Sequence, residues 1–177
     1  MNSRILLAAL LFALAGSGQA DPGAFNDVEE PKASDWKEDD FKFPPLPKEE
    51  NLVEFYVNAT TSAKYYIDWT SLITGTADQV IRYVAVIKTA GGARNVSFEG
   101  VRCDTSEMRL YATTNSEGVW SKSRNTEWRR VNKERTPQQY ALNYLYFCPD
   151  FTPIKTRAEG RNALENGGHP IVKQRYN

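Results

Sequence analysis

The chain has 177 residues, 41% hydrophobic and 25% charged, with 22 basic and 22 acidic side chains that cancel. That length and composition fit one globular domain of ordinary size, and the modest charge of the body argues against nucleic acid as a partner. The cancellation hides an asymmetry, because residues 21–50 hold ten acids and four bases whereas residues 51–177 hold twelve acids and seventeen bases.

Taken in order, the chain opens with the marks of a secretory signal. Arg4 supplies the positive start, residues 5–15 are unbroken apolar, and the small residues of Gly16-Ser17-Gly18-Gln19-Ala20 place the expected cleavage after Ala20. The apolar run is too short to span a bilayer. No cysteine follows it to take a lipid, and no later stretch is apolar enough to insert. The mature chain is therefore expected to be soluble and periplasmic, with the extracellular surface as the other possibility, and without membrane insertion.

Residues 21–50 form an acidic, proline-bearing arm. Its first part is expected to be disordered. Its aromatics, Trp36, Phe41 and Phe43, and the extended Pro44-Pro45-Leu46-Pro47 run suit a strap docked on its own domain or a ligand for a proline-reading partner. Residues 52–58 and 64–69 read as strands. Asp68-Trp69-Thr70-Ser71-Leu72 reads as a turn in which Asp68 takes downstream amides.

The centre of the chain is residues 80–103, two β-rich runs around Gly91-Gly92. Glycine pairs are favoured in two-residue hairpin loops, which need positive φ. That loop would set Ile87 opposite Val96, Ala85 opposite Phe98, Val84 opposite Glu99 and Val80 opposite Cys103. It would put Ile81, Tyr83, Ala85, Ile87, Val96 and Phe98 on one face and Val80, Val84, Val86, Val101 and Cys103 on the other. Arg82 and Glu99 would then be diagonal neighbours, expected as a structural ion pair that fixes register. Residues 107–114 and 119–122 continue the meander, and residues 128–131 can add a short strand.

Thr136-Pro137-Gln138-Gln139 has the pattern of a capped helix start. Tyr140, Ala141, Tyr144, Leu145, Phe147 and Cys148 follow at helical spacing. Thr156-Arg157-Ala158-Glu159 repeats the capping pattern and predicts a short helix to residue 166, weakened by Gly160 and ended by Gly167-Gly168. The basic tail beyond is expected to be mobile. The only two cysteines, Cys103 and Cys148, admit one pairing, and an exported chain favours it as a disulfide. The expected fold is α+β: an antiparallel meander of about six strands with one main C-terminal helix on one face, stapled by that bridge. The organisation reads as a signal peptide (1–20), the arm (21–50), the α+β domain (51–155), and a short helix with a basic tail (156–177).

The chemistry visible in the sequence is sparse. The one histidine, His169, lies in the tail, and no Ser-His-Asp or Cys-His constellation is visible. Zinc spacing and phosphate loops are missing. Glu38-Asp39-Asp40 lacks the spacing of a calcium loop. Glu99, Asp104 and Glu107 leave a paired-carboxylate hydrolase as the third reading. No catalytic residue, cofactor or metal ligand is assigned. Asn58-Ala59-Thr60 and Asn95-Val96-Ser97 match glycosylation acceptors, which matter only in a eukaryotic secretory route.

The most suggestive surface is residues 120–135. Trp120, Arg124, Trp128, Arg129 and Arg130 are its candidate contacts, joined by Lys122, Lys133 and Arg135. Tryptophan and arginine are favoured at binding hot spots. Such a set can receive an envelope protein, a glycan or the acidic arm.

Together these stretches resemble a known set. The run 36–57, residues 65–72, residues 82–103 and the tyrosine-rich helix ending at Cys148 are similar to the cryptic neisserial protein family, exported proteins of proteobacteria. That resemblance implies export and supplies no activity. A looser resemblance, to the surface adhesin protein E group, rests on Tyr66-Ile67-Asp68, Cys103 and Cys148. It implies a sheet and helix linked by a strand-to-helix disulfide, and makes a surface adhesin for host proteins the second functional reading.

Overall fold

Gly91 and Gly92 do turn the chain, but through three residues rather than two. The Thr89 N–H donates to Ala93 O, and the Gly92 N–H donates to Thr89 O, each at 3.0 Å. Gly92 carries the positive φ, +84°, the conformation that a three-residue loop asks of its last position. The computed structural model describes residues 36–75 and 77–175. The expected signal segment and the arm up to residue 35 lie outside the described residues.

The extra loop residue moves the register by one and exchanges the faces of the second strand. β3 (Val80–Lys88) and β4 (Arg94–Arg102) pair Ile87 with Asn95, Ala85 with Ser97, Val84 with Phe98 and Val80 with Arg102. Val101 and Cys103 therefore share a core with Ile81, Tyr83 and Ala85, while Val96 and Phe98 join Val84 and Val86. The expected grouping had these two pairs the other way round.

Around this hairpin the sheet is an antiparallel meander: β1 (Leu52–Phe55), β2 (Lys64–Ile73), β3, β4, β5 (Glu107–Thr114) and β6 (Trp120–Lys122), with β7 (Arg129–Arg130) also paired to β5. β1 is shorter than expected. β2 is longer, because the turn at Asp68 is built as a bulge inside the strand. Asp68 Oδ1 takes the Thr70 N–H at 2.9 Å, and Ser71 Oγ takes the Val84 N–H at 2.8 Å across the irregularity. The side chains thus replace ladder bonds the bulge removes.

Both faces are covered, which is why nearly every residue of β3 is buried. On one face lie α1 (Pro137–Ala141), a π-helical stretch Leu142–Phe147 and α2 (Arg157–Glu165). Ala141, Leu142, Tyr146, Phe147, Ala163 and Leu164 meet Ile67, Leu72, Ile81, Tyr83 and Val101 there. Each fully buried large apolar side chain stabilises by about 1.5–3 kcal/mol. The expected single helix is thus α-helical only at its start. Thr136 does not cap it; its Oγ1 takes the Asn132 N–H at 2.8 Å. Gln139 turns inward to Glu99 instead of capping. The wider turn ends with the Cys148 N–H reaching back five residues to Asn143 O at 3.1 Å.

Cys103 and Cys148 form the disulfide, with Cα atoms 5.3 Å apart. It staples the helical segment to the face bearing Ile81, Tyr83 and Val101. The expectation was a face bearing Val80, Val84, Val86 and Val101; the register shift moves Val101 and Cys103 to the side of Ile81 and Tyr83.

At the C-terminal end, α2 has the expected cap. Thr156 Oγ1 takes the Glu159 N–H at 3.1 Å, and the Glu159 carboxylate takes the Lys155 N–H at 2.7 Å. Gly160 is a packing residue rather than a weak point. A Cβ there would stand 2.6 Å from Ile154 Cδ1 and 2.9 Å from Leu72 Cδ1. Alanine normally gains up to about 1 kcal/mol over glycine in a helix, but overpacking a tight contact costs about 1–3 kcal/mol. Gly160→Ala is therefore expected to destabilise in urea unfolding, and a stabilised variant would contradict this packing.

The tail is ordered through residue 175 rather than mobile. α3 (Pro170–Lys173) buries Val172, and His169 is buried before it. His169 Nδ1 takes the Ile171 N–H, while Nε2 lies 3.0 Å from Glu159 Oε1. Burial pushes the Glu159 carboxyl up, but the Lys155 N–H and His169 outweigh it and hold it below the ordinary carboxylate range. A depressed acid stabilises the fold above its unfolded-state pKa, and the benefit fades as pH falls through the folded one. The Tm gap between the native chain and Glu159→Gln should thus be full at neutral pH and narrow on acidification through the carboxylate range. A pH-independent gap would contradict this.

Candidate functional site

The second face of the sheet is covered by the chain's own residues 36–47. Of the two roles open to the arm, the described part takes that of a strap on its own domain. Phe41 packs on Phe98 and Tyr111 with ring centroids 5.6 and 4.5 Å apart, and Phe43 packs on Phe98 at 5.7 Å. Trp36 meets Trp128 edge-on at 5.9 Å. Such pairs add about 0.5–1.5 kcal/mol each beyond area burial. The Trp36 indole N–H donates to Asp78 O, and the Trp120 indole N–H donates to Pro44 O, each at 2.9 Å. The strap is thereby held at both ends.

At its centre is Arg82. This side chain is 1% exposed in the middle of β3, where an unpaired charge would be very costly. Its Nη2 donates to Asp78 Oδ2 and, at 2.9 Å, to Glu38 Oε1 of the strap. The guanidinium carbon stands 4.8 Å from the centre of the Phe41 ring. Glu38 also receives the Arg109 guanidinium and the Tyr111 hydroxyl. One carboxylate of the arm thus joins two arginines and a phenol of the sheet. A Cβ at Gly100 would stand 2.7 Å from the Tyr111 hydroxyl, so glycine leaves the phenol its room.

The titration shifts follow from this burial. Arg82 is held above its usual value: burial opposes its charge, and the bonds to Asp78 and Glu38 overcome that. Burial drives the Tyr111 phenol far up; Arg82 opposes this, and the bond to Glu38 adds to it.

The expected Arg82–Glu99 pair does not form. In the observed register Glu99 sits opposite Tyr83, on the helical face. There it takes the Tyr83 hydroxyl at 3.2 Å, the Gln139 amide at 2.8 Å and the Ser97 hydroxyl. The other acids near it are engaged separately, Asp104 by Arg102 and Glu107 by the Thr105 hydroxyl. In the acidic run, Glu38 locks onto Arg82 and the Asp39 N–H bonds Asp78. Among the described residues, no group of three or more potential metal-ligating side chains comes together.

The candidate contact set of residues 120–135 divides in two. Trp120 and Trp128 are half-buried under the strap, Trp120 near Phe43 and Phe98 and Trp128 near Trp36 and Tyr111. They are walls of the strap's seat. Arg124, Arg129 and Arg130 are exposed beside these walls, as is Lys122; Lys133 and Arg135 are exposed farther on, Lys133 beside Val57 and Tyr140 on the helical side; none of the six forms an ion pair among the described residues. Sequence reasoning missed Glu38, Asp78, Arg109 and Tyr111. The available signal was Glu38 lying between aromatics that dock, facing an arginine in an otherwise apolar strand.

No helix among the described residues is long and apolar enough to cross a membrane. No solved structure matches this chain. "Cryptic neisserial protein 1" of Neisseria gonorrhoeae (strain ATCC 700825 / FA 1090) is 27% identical over 158 residues, covering 79% of this chain and 77% of that one. The profile of the CNP1-like family matches residues 31–165, a span that takes in the strap, the whole sheet, both cysteines and α2. The chain belongs to the CNP1-like family.

Proposed function

We propose that this protein is an exported, non-catalytic binding module of the cell envelope that contacts its partner through the basic border of the strap. The observation that carries the reading is the fate of the charges. The buried arginine Arg82 is neutralised by Asp78 and by the strap's Glu38, whereas the exposed bases of residues 120–135 have no ionic partner among the described residues. Six bases against two acids in that stretch make a positive edge, which favours a negatively charged partner and speeds its encounter. The disulfide supports an oxidising compartment, where such bridges persist.

The test is recovery of partners from a detergent extract of the envelope. Bait with Arg124, Arg129 and Arg130 all changed to glutamate should lose the partner that the native chain recovers. The three are exposed, so folding should be unaffected and is checked by thermal melting. Equal recovery by both baits would remove this surface.

A further inference from the structure

Beside the strap, a cavity of about 310 Å³ opens between its aromatics and the β5–β6 edge, lined by Phe41, Phe43, Arg109, Tyr111, Lys122, Ser123 and Thr126. We infer that this cavity is an acidic-sugar subsite, taking a ring that carries a carboxylate or phosphate group. The inference rests on the binding reading above and names the chemistry of its ligand.

Its lining is unequal in charge. Arg109 and Lys122 face the cavity, and no acid lines it. Glu38 holds one end of the Arg109 guanidinium, yet Arg109 Nε is buried with no hydrogen-bond partner among the described residues. The indole nitrogen of Trp128, whose ring lies 5.9 Å from the Arg109 guanidinium carbon, is in the same condition. Both nitrogens are sealed from solvent and Trp128 is not a lining residue, so the cavity's positive charge comes from Arg109 and Lys122. Lys122 Nζ lies 6.0 Å from the Phe43 ring centroid and has no ion pair among the described residues.

The remaining walls decide the rest of the ligand. Phe41 and Phe43 add aromatic surface to the lining, and Ser123 and Thr126 add hydroxyl-bearing side chains. A sugar ring presents C–H groups on its faces and hydroxyls at its edge, so it complements both. The volume is at the small end of ordinary ligand sites, about 300–1,000 Å³, which suits one monosaccharide unit. A long acidic chain would then run from this cavity along Arg124 and Arg129 at the border.

The experiment titrates the purified chain, signal segment removed, with glucuronate, glucose 6-phosphate and glucose, followed by calorimetry. The acidic sugars should bind saturably and weaken with salt, and glucose should not bind. Binding of one acid and not the other identifies the preferred acidic group. Lys122→Gln should weaken binding about tenfold, the loss of one charge-assisted bond, without loosening the strap. Arg109→Gln is the stronger test but also touches the Glu38 lock, so Lys122→Gln decides. No saturable binding of either acid, equal binding of glucose, or an unchanged Lys122→Gln variant would overturn the subsite. If that happens while charge reversal at Arg124, Arg129 and Arg130 still abolishes partner recovery, the subsite falls and the binding reading stands. If acidic sugars bind while recovery is unaffected, it is the border surface that falls.

Discussion

Replacing Cys103 and Cys148 together by alanine is expected to lower the unfolding free energy by about 4 kcal/mol. The two cysteines are 45 residues apart in sequence, and the bridge removes the closure entropy of a loop of that length from the unfolded chain. The loop contains β5, β6, β7 and most of the helical segment that it pins. A domain typically has about 5–15 kcal/mol in all, so the variant should sit near the edge of folding. Urea unfolding of the double variant against the oxidised native chain measures the difference. A loss under about 1 kcal/mol would mean that packing alone holds the helical segment on Ile81, Tyr83 and Val101, contrary to the chain-entropy account.

Arg82→Leu is expected to cost about 3–5 kcal/mol, the penalty for removing one partner from a buried ion-pair cluster. Asp78 and Glu38 both face that guanidinium. Among the described residues, Glu38 is the strap residue that hydrogen-bonds Arg109 and Tyr111. The strap should therefore loosen before the sheet does. Trypsin cleavage after Lys42 and a change in Trp36 fluorescence report strap release, and far-ultraviolet dichroism reports the sheet. The double variant Arg82→Leu with Glu38→Gln should lose less than the two single losses combined, because removing the acid relieves part of the uncompensated charge. Additive losses would show that the two residues are not coupled through the lock.

Much of the fold was legible because local signals agreed. The alternating runs, their short connections and the even cysteine count led to the meander and the staple. The arm's aromatics and prolines suggested a strap without deciding it against a partner ligand. The register was not, because Gly91-Gly92 serves a two-residue or a three-residue loop equally well, and only the side-chain partners of Phe98 and Cys103 distinguish them. That single residue then carried Glu99 to the wrong face and gave Arg82 a partner it does not have. The true partners could not be found by pairing strands, since Glu38 comes from a segment with no periodicity and Asp78 from a turn. The helix was misjudged for a related reason. Its capping pattern was real, but Gln139 is needed by the buried Glu99, and a buried carboxylate outweighs an exposed cap. The tail's α3 is too short for periodicity to show, so His169 and Val172 gave no warning that they dock.

The exposed bases beside the strap are the part of this account on which function turns. Site-specific photo-crosslinking in intact cells tests them most directly, with the crosslinking residue placed at Arg124, Arg129 or Arg130, and at Arg161 and Glu165 on α2 as controls. The account predicts a discrete adduct from the first group and none from the second. Adducts only from α2 would contradict it, as would a bare chain at every position.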